Sequence, residues 1–131
     1  MYIILATLKH LNDLTPLFDE YRVFYRQESN IEAAKIFLKE RLTKQDSIIY
    51  IVYINNVAVG FTQLYFLYSS VSMKAMYLLN DLYINPEYRN KSIGTELINR
   101  AKTLCKEKNY KGIIIQTENT NPAQHLYQRE G

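Results

Sequence analysis

Two groups of residues in this chain could do chemistry. The first is Arg89-Asn90-Lys91-Ser92-Ile93-Gly94-Thr95, which follows an apolar run and opens a helical pattern. The free N–H groups of a helix's first turn, with their partial positive charge, bind phosphate well. Gly94 lets the backbone approach an anion closely, and Arg89 and Lys91 add charged donors for phosphate oxygens. The stretch is neither a Walker loop nor a dinucleotide fingerprint, because GxxxxGK(S/T) and GxGxxG are both missing. The residues alone fit a basic, solvated turn with a helix-start glycine equally well. The second group is Tyr21, Tyr25, Glu28 and Glu32, whose aromatic faces and carboxylates suit a cationic amine. Helical spacing also allows Tyr21 and Tyr25 to be core residues, and Glu32 holds a capping position, so Glu28 is the stronger candidate. His10 and His125 have no partners at metal-ligand spacing, and no metal is expected. Cys105 falls on an apolar helical face and reads as inert packing.

These groups must be positioned by a regular sequence of elements. Residues 2–8 are β-branched and apolar and predict a first strand. Asn12 can cap a helix in which Leu14, Leu17, Phe18, Tyr21, Phe24 and Tyr25 recur at helical spacing. Ser29-Asn30-Ile31-Glu32 has the spacing of a capping box and predicts a second helix burying Ile31, Ala34, Leu38 and Leu42. From residue 47 the period changes. Runs over 47–54 and 57–68 predict a hairpin turning at Asn55-Asn56, which tolerates positive φ, and residues 76–84 predict a further strand. Ile93, Leu97, Ile98, Ala101, Leu104 and Cys105 then share one helical face. Residues 112–117 read as a short buried strand, and Asn121-Pro122 opens a last helix through residue 130. The order β-α-α-β-β-β-α-β-α requires antiparallel strands followed by a parallel pair, an α/β domain with a mixed, mainly antiparallel sheet flanked by helices.

Composition fits that picture. The 131 residues predict a single domain over 1–131, and 47% apolar residues supply a core. Sixteen Lys and Arg against thirteen Asp and Glu leave +3, too little and too scattered for a nucleic-acid surface. No apolar run approaches a membrane span, and residues 1–5 lack the basic start of a signal peptide. One cysteine cannot form an internal disulfide. A cytoplasmic protein that engages neither nucleic acid nor membrane is expected.

The stretch over residues 79–94, with Arg89 and Gly94 in place after a strand and Pro86, resembles the acyl-CoA-binding motif of the GNAT superfamily of N-acetyltransferases. Ser92 stands where the first glycine of that motif is usual; it is small and keeps its N–H. Residues 119–131 are similar to the family's N-x-x-A-x-x-L-Y-x-x-x-G segment, with Ala123, Leu126, Tyr127 and Gly131 in place and Thr120 between Asn119 and Asn121 at the asparagine position. Gly60 falls early in a strand where the family often has a glycine. Within the superfamily the chain looks closest to the histone and polyamine acetyltransferases. Family members usually continue with two more strands, so either a truncated chain or completion by another chain, as in a homodimer, is expected.

The resemblance implies acetyl-CoA as co-substrate, without a metal, and transfer of its acetyl group by direct attack of a small amine, polyamine or lysine. The pantetheine arm is expected against the backbone of Leu82, Tyr83 and Ile84. The pyrophosphate is expected on Arg89, Asn90, Lys91, Ser92, Ile93, Gly94 and Thr95, with Asn119, Asn121 and Tyr127 as further cofactor contacts. The Leu82 N–H would polarise the thioester carbonyl. Tyr127 would protonate the departing thiolate. Asp81 lies where related enzymes carry acidic residues and is a candidate base, or equally a buried carboxylate held by backbone donors. Tyr21, Tyr25 and Glu28 would receive the acceptor. A non-catalytic acyl-CoA-binding or assembly module is the alternative, motivated by Ser92 and Thr120.

Overall fold

The change of period at residue 47 is a change from helix to sheet. The computed structural model describes residues 1–115. In chain order these form β1 (Tyr2–Leu5), α1 (Leu11–Phe24), α2 (Ile31–Lys44), β2 (Ser47–Ile54), β3 (Val57–Ser69), β4 (Lys74–Ile84), α3 (Ile93–Glu107) and β5 (Ile113–Ile115). Short 3-10 turns at Leu8–His10 and Pro86–Tyr88 precede α1 and α3. The sheet runs β1-β2-β3-β4-β5, antiparallel from β1 to β4, with β5 parallel to β4. The mixed sheet is therefore as the element order required. The helix expected over 121–130 lies outside the described residues.

Local chemistry corrects three boundaries. The first strand stops at Leu5 because Thr7 turns the chain: its Oγ1 accepts the Lys9 N–H at 3.3 Å, and its own N–H donates to His10 Nδ1 at 2.9 Å. That capping box lets α1 begin at Leu11, ahead of Asn12. The cap of α2 is Asn30 instead of Ser29, with Asn30 Oδ1 accepting the Ala33 N–H at 3.0 Å. Ser29 has another task. Its hydroxyl donates to Asp19 at 2.6 Å and the Asn30 N–H donates to the same carboxylate at 2.7 Å, tying the α1–α2 loop to α1. Ala34 and Leu38 are buried on α2, whereas Ile31 stays exposed. At the hairpin, Asn55 (φ 50°) and Asn56 (φ 66°) both take the left-handed conformation that a two-residue turn needs.

Two apolar layers flank the sheet. Leu14, Leu17, Phe18 and Leu38 of α1 and α2 pack on one face with Ile51, Phe61 and Tyr83. Leu97, Ile98, Ala101 and Cys105 of α3 pack on the other with Val52, Leu79 and Leu82. The face of α3 is the one its spacing specifies.

Candidate active site

A bulge in β4 builds the site. Gln63 pairs with Asp81 but Leu64 pairs with Leu79, so Asn80 is an extra residue on β4. Tyr77 and Leu79 point toward α3, and the extra residue reverses the alternation so that Asp81 and Tyr83 are on the α1 side. Asn80 Nδ2 donates to Asp81 Oδ1 at 3.1 Å. Gln63 Nε2 donates to Asp81 Oδ2 at 2.6 Å, and Gln63 Oε1 accepts from the Ser47 hydroxyl at 2.8 Å. Asp81 is 5% exposed. Burial pushes its carboxyl above the usual carboxylate range, opposed by hydrogen bonds from Gln63, Tyr21 and Asn80.

The backbone alternates as well. The Asn85 N–H donates to Val59 O, and the Thr62 hydroxyl donates to Asp81 O, so the odd-numbered residues from 81 to 85 turn their polar groups toward β3. Leu82 and Ile84 consequently turn theirs to the opposite side, where β5 pairs with β4 at Tyr77, Leu78 and Leu79. Tyr83 keeps its backbone groups on β3. The Ile84 carbonyl accepts from Arg89 Nε at 2.9 Å.

Beyond β4 the chain enters α3 through two left-handed residues, Asn90 (φ 65°) and Ser92 (φ 63°). Ser92 is the N-cap of α3 and its side chain makes no capping bond, which leaves the first-turn N–H groups of Ile93, Gly94 and Thr95 uncapped by it. Lys91 lies over the Tyr88 ring at 5.7 Å. The Arg89 guanidinium lies 5.4 Å from the centre of Phe24 and 5.6 Å from that of Tyr83, which brings the loop against α1.

On α1, the Tyr21 hydroxyl is 3.4 Å from Asn80 O, and its ring meets Tyr25, Phe61 and Tyr83 at 5.0, 5.6 and 6.2 Å. Tyr21, Tyr25 and Asp81 are therefore brought together. Glu28 is exposed, and its backbone carbonyl accepts from Arg22 at 3.3 Å. The carboxylate that meets the β4 end is Glu20, which accepts from the Tyr83 hydroxyl at 3.3 Å. Glu20 adjoins Tyr21 and precedes Phe24 by one turn, and that spacing could have pointed to it. Gln63 was signalled by being the one amide side chain in a mostly apolar strand, beside Thr62. Tyr127, Asn119 and Asn121 lie outside the described residues. Among the described residues no cluster of His, Cys, Asp or Glu could hold a metal ion, and no helix is long and apolar enough to cross a membrane.

Comparison with known proteins matches residues 13–131 to the Acetyltransferase (GNAT) family. This chain belongs to the GNAT family. The GNAT domain is 44% identical over 119 residues to the uncharacterized N-acetyltransferase YhfO of Bacillus subtilis (strain 168), covering 90% of this chain and 80% of that protein. A crystal structure of a "probable acetyltransferase" superposes with TM-score 0.94 at 36% identity, over 100% of this chain and 89% of that one. A predicted acetyltransferase from Clostridium acetobutylicum, crystallised with acetyl-CoA, shares the fold with TM-score 0.80 at 16% identity, over 99% of this chain and 88% of that one. The protein is an acetyl-CoA-dependent N-acetyltransferase.

Proposed function

We propose that the chain transfers an acetyl group from acetyl-CoA to a primary amine that approaches between α1 and the β4 bulge, with Asp81 receiving the amine's proton. The observation that carries this reading is the bulge at Asn80, which turns a buried carboxyl toward the Tyr21 hydroxyl within the strand whose far edge presents the Leu82 N–H. Burial makes Asp81 a better proton acceptor than an ordinary aspartate. Tyr21 and Tyr25 offer ring faces to a cationic amine, and Glu20 adds a carboxylate beside Tyr83.

Acetyl-CoA supplies the acetyl group as a thioester open to attack by the neutral amine. The residues present fit an anionic cofactor: uncapped N–H groups at the start of α3, two left-handed residues leading into it, and Arg89 and Lys91 alongside. The Leu82 N–H, turned from β3, is suited to polarise a carbonyl oxygen. Tyr127 is assigned the proton donated to the leaving thiolate on its motif position, and Tyr127→Phe is expected to lose turnover while acetyl-CoA still binds. The single free thiol, buried at Cys105, supports a cytoplasmic setting.

The test is release of free coenzyme A thiol from acetyl-CoA in the presence of primary mono-, di- and polyamines and lysine peptides. Acceleration by one of these over water is expected. Tight binding of acetyl-CoA with no acceleration by any amine would overturn the reading in favour of a non-catalytic module.

A further inference from the structure

The Asp81 carboxyl is held from behind by a buried polar chain that crosses three strands. Gln63 is fully buried, sits directly opposite Asp81 in the sheet register, and donates to that carboxyl at 2.6 Å. Its carbonyl end is fixed by Ser47 of β2 at 2.8 Å. A fully buried glutamine opposite Ile49, on the layer that holds Phe61, is expensive to desolvate unless both ends are bonded, and here both are.

We propose that Gln63, anchored by Ser47, is the positioning residue that holds the Asp81 carboxyl beside Tyr21 and follows its proton by reversing its side-chain amide. This rests on the reading of Asp81 as the proton acceptor. An ionised carboxylate is an acceptor at both oxygens, so Gln63 presents its NH2 group and its carbonyl takes the Ser47 hydroxyl proton. When Asp81 gains a proton, its O–H becomes a donor. A half-turn of the amide then offers Gln63 Oε1 to that O–H and Nε2 to Ser47 Oγ. The amide's two ends are nearly the same size, so the reversal needs no extra volume in a closely packed interior. The Tyr65 phenol, which Gln63 also bonds, can turn from accepting the amide N–H to donating to Oε1, so both protonation states keep the same number of hydrogen bonds and Asp81 can take up and release a proton without leaving a buried group unpaired.

Other groups face Asp81 too. Tyr21 reaches it from α1 and Asn80 from its own strand. From β3 the Tyr65 phenol, pushed up to about 12 by burial and by Asp81, stays neutral through the working range. Arg41 of α2 and Asp46 lie beyond Tyr65 and pair with each other at 3.0 Å, fixed charges of opposite sign.

The experiment is a carboxyl 13C NMR titration of Asp81 in the whole chain, as wild type, Gln63→Met and Ser47→Ala. Gln63→Met removes a charge-assisted hydrogen bond from the ionised form and a weaker neutral one from the protonated form, so the Asp81 midpoint should move up by about half a unit to one unit, and by less in Ser47→Ala. In the wild type, the Gln63 side-chain amide signals should shift with the same midpoint as Asp81. An unmoved midpoint in folded Gln63→Met, or amide signals indifferent to the Asp81 titration, would overturn the proposal. Should Gln63→Met not fold, the Ser47→Ala midpoint decides alone. Turnover of Asp81→Asn separates this from the underlying reading: full activity there refutes Asp81 as proton acceptor whatever Gln63 does.

Discussion

Gly60 of β3 lies opposite Ile84 of β4, so close that a methyl on the glycine would stand 2.6 Å from Ile84 Cδ1 and 2.8 Å from the Tyr83 carbonyl oxygen. The second contact is with backbone and cannot be relieved by a rotamer change. Gly60→Ala is therefore expected to push β3 from β4 where the strand enters the site, destabilising the protein by about 1–3 kcal/mol in urea unfolding. Adding Ile84→Ala should recover only part of that loss, because the Tyr83 oxygen remains. Full recovery in the double variant would refute the backbone clash.

Ser92 holds φ 63° with no side-chain capping bond to compensate. Ser92→Gly relieves a left-handed strain of about 1 kcal/mol, partly offset by the greater freedom of an unfolded glycine, so a small gain in stability is expected. Ser92→Val should lose more than the glycine gains, since a β-branched residue is poorly suited to that region. Equal midpoints in denaturant for all three proteins would rule this out.

Asp81 makes stability depend on pH in an unusual direction. Its folded-state pKa is raised, so the folded chain holds its proton where the unfolded chain has lost it. Stability from this group is thus full below the ordinary carboxylate pKa of about 4 and declines as pH rises toward the raised value. Thermal unfolding of Asp81→Asn against wild type should show a difference that grows in favour of the variant from pH 4 to pH 7. A difference that shrinks over that interval would contradict the burial argument.

Arg89 bonds the Ile84 carbonyl through Nε and lies over Phe24 and Tyr83. Lysine keeps the charge but has no planar fork to satisfy both contacts. Arg89→Lys is expected to raise the KM for acetyl-CoA by about tenfold, the effect of one charge-assisted hydrogen bond, with Arg89→Ala somewhat worse. A KM unchanged in both variants would remove Arg89 from cofactor binding.

Strong periodic signals predicted the architecture well. The α3 face, the Asn55-Asn56 turn and the parallel closing pair all follow from spacing and turn chemistry that act over a few residues. Boundaries set by competing polar side chains were harder. Thr7 and His10 cap each other where a strand was expected to continue, and Ser29 is drawn to Asp19 from its apparent capping position. The carboxylate near Tyr83 is Glu20 because the end of α1 brings that face to the strand, whereas Glu28 sits on an exposed loop. The strand context marks Gln63 as unusual but not its role: its importance comes from a cross-strand partner eighteen residues away, and no local pattern encodes the bulge that aligns them.

That extra residue in β4 acts as a phase shifter. Upstream of Asn80 the strand's odd-numbered side chains belong to one layer, and downstream they belong to the other. Drawing Asn80 into regular pairing would set the whole strand to a single parity, driving the Asp81 acid group into the oily α3 layer and sending Leu82 to face Tyr21, whereas excising Asn80 would leave Leu79 and Asp81 on their present sides. Sequence drift can rewrite individual side chains here far more easily than it can change their number by one, and a chain with one residue added to β3 opposite Asn80 that still released coenzyme A at the wild-type rate would be incompatible with this geometry.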